Sequence, residues 1–311
     1  MRVLLRRVTT NNVSRACSTR RSLKKVINFN KYTGILRRFS LVNQLLPLTL
    51  LLLVISSIAT ASDYTNESIK APSELQINVD QFENHRYIAV TLDLEKVQLV
   101  QEMVNPQTNK NFGSFSQLRK SHRDQQKELL FAINSGIYTK EYTPLGLYIE
   151  SGKVQAPLNR IKSNEGQGNF ALLPNGVFFI TDDNRAMILD TDRFDARFKG
   201  DYAGIRDAVQ SGPMLLIEGQ YNPYFIPNSD SYRIRSGVCT LREGRDVVFV
   251  VTEDKVNFHE FARYFKEELK CDNALYLDGT LARIFYDGSV YGASFWQAKP
   301  LVGIWSVTKQ K

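Results

Sequence analysis

Four short segments place polar side chains beside glycine at the ends of apolar runs: Asn134-Ser135-Gly136, Gln210-Ser211-Gly212-Pro213, Arg235-Ser236-Gly237 and Asp278-Gly279. Between them they offer amides, hydroxyls, a guanidinium and a carboxylate. Glycine at such points permits positive φ and a close backbone approach, either for a turn or for a ligand. Singly, each reads as a turn in which Asn or Asp makes a local Asx contact. Together they point to a ligand site, because turns chosen for connection alone rarely follow such apolar strands with Asn, Arg and Asp at the mouth.

The rest of the inventory excludes several chemistries. Only three histidines occur, and no motif sets one beside a nucleophile as a Ser-His-Asp or Cys-His machine requires. Ser211 is not framed by G-x-S-x-G, and His259-Glu260 is not continued to H-E-x-x-H. No G-x-G-x-x-G, Walker-type loop or C-x-x-C is present. Asp182-Asp183-Asn184 lacks the calcium-loop frame and reads as a solvated hairpin end. No cofactor is therefore expected, and a metal is neither demanded nor excluded by motif.

The formal charge of +8 is not a nucleic-acid signal. Eleven of the 40 basic residues and none of the 32 acids lie in 1–61, which leaves the remainder at −3. A body of that charge has no electrostatic reason to bind phosphate backbones. Residues 1–40 are basic and rich in Ser and Thr, and a leucine-rich apolar run at 45–55 leads into Ala59-Thr60-Ala61. That order predicts an export signal over 1–61 with Ser62 as the first mature residue. An uncleaved anchor with a cytoplasmic basic flank, a mitochondrial-type presequence and an upstream misplaced start are the competing readings. Membrane contact is expected only through this segment if it stays uncleaved. A periplasmic or secreted location follows from the preferred reading. Cys17 lies in the address; Cys239 and Cys271 read equally as a pair or as two small buried residues.

The elements that must position the four segments are short strands and few helices. Residues 62–85 are polar and read as a tether, and 86–311 as the domain. The runs 88–94 and 97–100 suggest an opening strand pair. Residues 114–126 fit a helix capped by Ser114. Hairpins are expected around Asn175-Gly176, Glu218-Gly219 and 242–245. The clearest helix is 257–270, capped by Asn257 with Glu260 at the capping-box position and an apolar face of Phe258, Phe261, Ala262, Phe265 and Leu269. It joins the runs 247–251 and 274–277 as a local βαβ unit inside a hairpin-rich chain. That mixture predicts an α+β fold, a mixed β-sheet with flanking helices, over a doubly wound one.

At these residues a family resemblance enters. Phe131-Ala132-Ile133-Asn134-Ser135-Gly136-Ile137-Tyr138 resembles the N-[AG]-G-[MF]-[YF] motif of the phosphodiester glycosidase family. The likeness continues in order through Pro144-Leu145-Gly146-Leu147-Tyr148, Gly168-Asn169-Phe170, Pro174-Asn175-Gly176-Val177-Phe178, Gln210-Ser211-Gly212-Pro213, Arg235-Ser236-Gly237-Val238, 256–262 and 273–279. It spans roughly 86–290 and is nearest the bacterial exported branch of the family. Thr280-Leu281-Ala282-Arg283 departs from the family pattern after Asp-Gly, and Ser236 stands where Thr or Asn is frequent.

The resemblance implies hydrolysis of a sugar-1-phosphodiester, through an oxocarbenium-like transition state. The leaving group is a phosphate monoester, so one carboxylate and a cation on the phosphate suffice. It assigns Asp278 as nucleophile or base, Arg235 as bidentate phosphate clamp and Asn134 as the third catalytic residue. Ser211, Gln210 and Tyr138 are expected to contact the sugar, with Asn134 sharing that task. Backbone N–H groups near Gly136 and Gly212 are expected to meet phosphate oxygens, and Gly279 to leave room beside Asp278. The partner is thus a sugar phosphate or polysaccharide. Two alternatives remain open at this stage. One is a carbohydrate-binding envelope protein that has lost catalysis; the other is a membrane-anchored polysaccharide assembly factor.

Overall fold

The computed structural model describes residues 74–161, 168–293 and 299–311. The described residues form one compact unit. The export address, the anchor reading and the start of the tether lie outside the described residues.

The largest sheet has seven strands in the order Leu75–Phe82, His85–Asp93, Asp246–Thr252, Ser236–Leu241, Ala274–Asp278, Met214–Ile217, Gln220–Tyr221. Two five-stranded sheets accompany it. One runs Ala186–Asp190, Gly176–Thr181, Ile205–Ser211, Tyr148–Glu150, Lys153–Ala156. The other runs Ser289–Gly292, Arg283–Tyr286, Lys127–Asn134, Ile304–Gln310, Val100–Glu102. The fold is α+β, mostly sheet with few helices, as the mixture of hairpins and one crossover predicts.

The central strand Asp246–Thr252 shows why the sequence folds this way. Val247, Phe249 and Val251 face the core shared by the sheets, while Val248 and Val250 face the helical layer. Both faces are covered, so the strand reads as a continuous apolar run rather than an alternating one. The helical layer is Phe258–Arg263 and the π-turn Tyr264–Glu268, laid on the large sheet through Phe261, Ala262 and Phe265. Asn257 and Glu260 form the full capping box. Asp246–Thr252 and Ala274–Asp278 both run antiparallel to Ser236–Leu241, which lies between them. The βαβ unit is therefore a split one. Cys239 and Cys271 are disulfide-bonded and buried, tying the middle strand to the segment after the helix.

Three expectations change. The tether ends before residue 75: Leu75–Phe82 is a strand, paired in full register with His85–Asp93 through a turn at Glu83 and Asn84, both at positive φ. Its Leu75, Ile77 and Val79 alternate with polar residues, the period of a half-covered strand. The segment 97–99 is not a strand; pairing resumes at Val100–Glu102, in another sheet. Asn175-Gly176 does not turn a hairpin either. Gly168–Ala171 is a 3-10 turn, and Gly176–Thr181 pairs with Ala186–Asp190 and Ile205–Ser211. Glycine suits position 176 because a Cβ there would press on the Met214 sulfur and stand 3.0 Å from the Leu189 carbonyl oxygen.

Candidate active site

Three of the sequence-predicted residues meet at one junction of strand ends. Asn134 closes the strand Lys127–Asn134, Ser211 closes Ile205–Ser211 and Asp278 closes Ala274–Asp278. Ser236 stitches them. Its hydroxyl donates to the Asp278 carbonyl at 2.9 Å and accepts from the Asp278 N–H at 3.2 Å and from Asn134 Nδ2 at 3.0 Å. Asn134 Oδ1 accepts the Arg283 N–H at 3.1 Å. Ser211 Oγ donates to the Leu277 carbonyl at 3.1 Å and accepts the Ile137 N–H at 3.4 Å. All four residues are buried. Asn134, Ser211 and Ser236 thus fix the backbone that presents Asp278, with their own polar atoms engaged in doing so.

The ladder is irregular at this point: Ser236 faces Asp278, but Gly237 faces Tyr276. Leu277 is the extra residue. Such bulges re-aim side chains at the ends of strands. The Asp278 carboxylate accepts three backbone N–H groups, from Gly279 at 2.6 Å and Thr280 at 2.9 Å on Oδ1, and from Leu281 at 3.2 Å on Oδ2. Burial pushes its pKa up, opposed by those three hydrogen bonds and by the positive charge of Lys299. The carboxylate lines a cavity of about 320 Å³ with Tyr138, Lys140, Tyr142, Thr280 and Lys299. That volume lies within the range of small-molecule pockets. The Tyr138 and Tyr142 rings stack with centroids 5.9 Å apart. Burial and the nearby Asp278 charge raise the Tyr138 hydroxyl above the ordinary tyrosine value, so it is a neutral donor at physiological pH.

Arg235 is not placed as the expected clamp, and it does not pair with Asp278 through any hydrogen bond or salt bridge among the described residues. Its Nε donates to the Val256 carbonyl at 2.8 Å and its Nη2 to the Ser231 carbonyl at 2.7 Å. The guanidinium lies 3.7 Å from the Phe258 ring centroid and hydrogen-bonds the Tyr276 hydroxyl. Only 1 % of the residue is exposed, and burial lowers its pKa. Arg235 thus holds the segment 231–256 against the helix. Gly279 packs on the same Tyr276 hydroxyl, where a Cβ would collide with it.

Gln210 is also committed elsewhere. Its Oε1 accepts the N–H groups of Leu147 and Asn159, and its Nε2 donates to the Asn159 carbonyl and Thr191. All four hydrogen-bonding positions of the amide are filled, so it clamps the loops around 147 and 159 rather than a sugar. Gly136 packs tightly on Val209 and Ser211, and Gly212 on Asn175. Neither lines the cavity. The residues that sequence reasoning missed are Lys140, Tyr142, Thr280 and Lys299. Lys140 and Tyr142 follow Tyr138 closely, and Thr280 follows Asp278. Lys299 carries no motif and is brought in by the fold alone.

The cavity set offers a carboxylate, two ammonium groups and phenol hydroxyls on an aromatic wall. That can hold an anionic group and support displacement at an adjacent carbon. No cluster of His, Cys, Asp and Glu that could hold a metal occurs among the described residues.

Comparison with known proteins agrees with this architecture. The phosphodiester glycosidase family matches residues 127–301. Uncharacterized protein YigE of Escherichia coli strain K12 is 40% identical over 187 residues, covering 60% of this chain and 68% of that protein. The catalytic domain of zebrafish N-acetylglucosamine-1-phosphodiester alpha-N-acetylglucosaminidase, auto-inhibited by its pro-peptide, superposes with a TM-score of 0.51 at 16% identity. That alignment covers 79% of this chain and 86% of the zebrafish one, a likeness of fold.

Proposed function

The chain belongs to the phosphodiester glycosidase family, and on that premise we propose that it is an exported hydrolase cleaving a sugar-1-phosphodiester with Asp278 as its carboxylate. One observation carries the reading: the Asp278 carboxylate and the two lysines Lys140 and Lys299 line the same small cavity. The zebrafish neighbour is named for an N-acetylglucosamine-1-phosphodiester, and the substrate class is carried over from it as part of the proposal.

In this mechanism the bond between the sugar C1 and the phosphate oxygen breaks, and water supplies the hydroxyl of the free sugar. Positive charge develops on the sugar ring, and negative charge moves onto the departing phosphate monoester. Lys140 and Lys299 hold the phosphate and stabilise that charge. Asp278 Oδ2, with a single N–H partner at 3.2 Å, is the oxygen with capacity to attack C1 or to take the proton of water. Tyr138 donates to the substrate, and the stacked tyrosines supply a flat wall for the sugar. Thr280 and Leu281 fall in the segment that departs from the family pattern, yet their N–H groups still hold Asp278. Catalysis is favoured over binding alone for that reason.

Export is supported by the buried Cys239–Cys271 disulfide, a bond that persists in oxidising compartments. No helix among the described residues is long and apolar enough to cross a membrane.

The test is release of free sugar from an N-acetylglucosamine-1-phosphoalkyl probe by the wild type and by Asp278→Asn. Turnover should fall on the order of a thousandfold, the loss of a catalytic group. Stability should fall by about 1 kcal/mol, because an amide nitrogen cannot accept the Leu281 N–H. Near-normal turnover in the folded variant removes Asp278 from the chemistry. Tight binding of the probe by the wild type with no sugar released assigns the chain to the binding alternative.

A further inference from the structure

A second concavity, of about 410 Å³, shares no lining residue with the Asp278 cavity. It lies between the helix Phe115–Asp124 and the hairpin Arg283–Tyr286/Ser289–Gly292. The helix turns Phe115, Leu118, Ser121 and His122 inward. Its other side carries Arg119, Lys120 and Arg123, all exposed, and all three line the groove. Phe115 and Phe285 form the floor, and the Arg119 guanidinium lies 5.7 Å from the Phe285 ring centroid.

No acid lines this groove, and none of its three cations is in an ion pair among the described residues. Asp124 and Asp287, the acids nearest in sequence, stand outside its lining. A solvated helix face explains part of this. Arg123 lies in the last turn, where a cation complements the helix dipole. Arg119 and Lys120 have no such reason, and like charges one turn apart destabilise a helix by a few tenths of a kcal/mol. This cationic track stands on a body whose net charge, over 62–311, is negative.

We propose that the groove is a binding site for an anionic polysaccharide, with Arg119, Lys120 and Arg123 meeting its charged groups. Arg119 and Arg123 are one turn apart, a rise of about 6 Å, so they address successive charges on an extended chain. The floor is recessed: Phe115 and Phe285 are 7 % and 4 % exposed. A surface that inserts into a bilayer presents protruding apolar residues instead, and here Val290 alone protrudes. A concave, basic, aromatic-floored groove fits a carbohydrate chain better than a lipid surface. Thr280, which lines the Asp278 cavity, and Phe285, on the floor of the groove, are five steps apart in the chain, at most about 18 Å. The proposal does not depend on the hydrolase reading, because binding is measured without turnover.

The experiment titrates the protein with dextran sulfate, with uncharged dextran and with phosphatidylglycerol vesicles. The wild type should bind dextran sulfate, bind uncharged dextran at least tenfold more weakly and leave the vesicles unbound. The variant Arg119→Ser/Lys120→Ser/Arg123→Ser should lose tenfold or more in affinity with its melting temperature lowered by no more than about 5 °C. A control removing three exposed cations elsewhere, Lys153→Gln/Lys199→Gln/Lys255→Gln, should lose less than threefold. Equal losses in both variants, no dextran sulfate binding by the wild type, or binding to vesicles alone would each overturn the proposal.

Discussion

Asp278 closes one strand and Arg235 immediately precedes its neighbour; they carry opposite charges and both lie near glycine in sequence, yet the fold uses them in opposite ways. Arg235 is enclosed, its guanidinium donating to two backbone carbonyls and stacked on Phe258. Asp278 is held by three N–H groups on its backbone side and opens on the other to a cavity lined by Lys140 and Lys299. The Tyr276 hydroxyl touches both neighbourhoods, bonding Arg235 and bearing on Gly279. The difference teaches that a charged residue at a strand end marks a site only when the fold leaves it hydrogen-bonding capacity. Arg235 has been made part of the scaffold that holds Asp278 in place.

The comparison breaks most visibly at Arg235. Arg235→Met fills much of the same space but removes the guanidinium's bonds to the Ser231 and Val256 carbonyls, the second of which keeps the Arg233 N–H, and its cation contact with Phe258. Hydrogen bonds from a charged group are worth about 1.5–3 kcal/mol each where buried and less toward solvent, so the domain should lose roughly 2–4 kcal/mol. For a unit of this size that is a fall in melting temperature of roughly 5–15 °C. Turnover per folded molecule should stay within about tenfold of the wild type. A variant of unchanged melting temperature and thousandfold lower turnover would restore Arg235 as the phosphate clamp.

Lys299→Met sharpens the comparison from the other side. Lys299 is exposed and makes no hydrogen bond or salt bridge among the described residues, so stability should change by less than about 0.5 kcal/mol. Losing one ammonium from the phosphate should raise KM about tenfold, with a smaller fall in kcat. An unchanged KM would mean that the phosphate sits elsewhere. The Asp278 turnover would then need another cation to balance it.

The framework was legible where local chemistry alone determines it. Asn257 and Glu260 announce their helix, Ser114 caps its own at 3.2 Å from the Gln117 nitrogen, and the run 247–251 could only be a covered strand. The errors have physical causes. Leu75, Ile77 and Val79 alternate correctly, but the polar residues between them made the segment look like a tether. Asn175-Gly176 has turn composition, whereas its glycine serves a close approach to Met214. At the site, strand-end motifs located Asn134, Ser211 and Asp278 but not the function of Arg235 or Gln210. Whether a guanidinium or an amide is already satisfied depends on carbonyls that only the folded chain brings near. Lys299 lies outside every motif for the same reason.

The smallest expected effect separates burial from chemistry. Glu150 resembles Asp278 in having a carboxyl whose pKa is raised by burial, here to about 7, with Glu102 and Asp207 adding repulsion and a Met103 N–H opposing it. Arg206 is engaged with Asp207 at 2.9 Å, and Lys153, opposite Glu150 across the strand pair, is exposed. Glu150 lines no part of the Asp278 cavity. Between the unfolded value near 4.5 and the folded value of about 7, the folded state binds more protons than the unfolded chain. The stability this group contributes is therefore fully present below about pH 4.5 and is lost as pH rises through 7. Glu150→Gln cannot titrate, so its melting temperature should fall less than that of the wild type between pH 5 and pH 8. Its turnover should remain within about twofold at either pH, since surface and structural carboxyls away from the reacting atoms do not enter the rate. Thermal melts at the two pH values, with sugar release measured on the same samples, give both readings. If Glu150→Gln loses turnover as Asp278→Asn does, then a raised carboxyl matters here wherever it stands, and the distinction drawn from Asp278 and Arg235 fails.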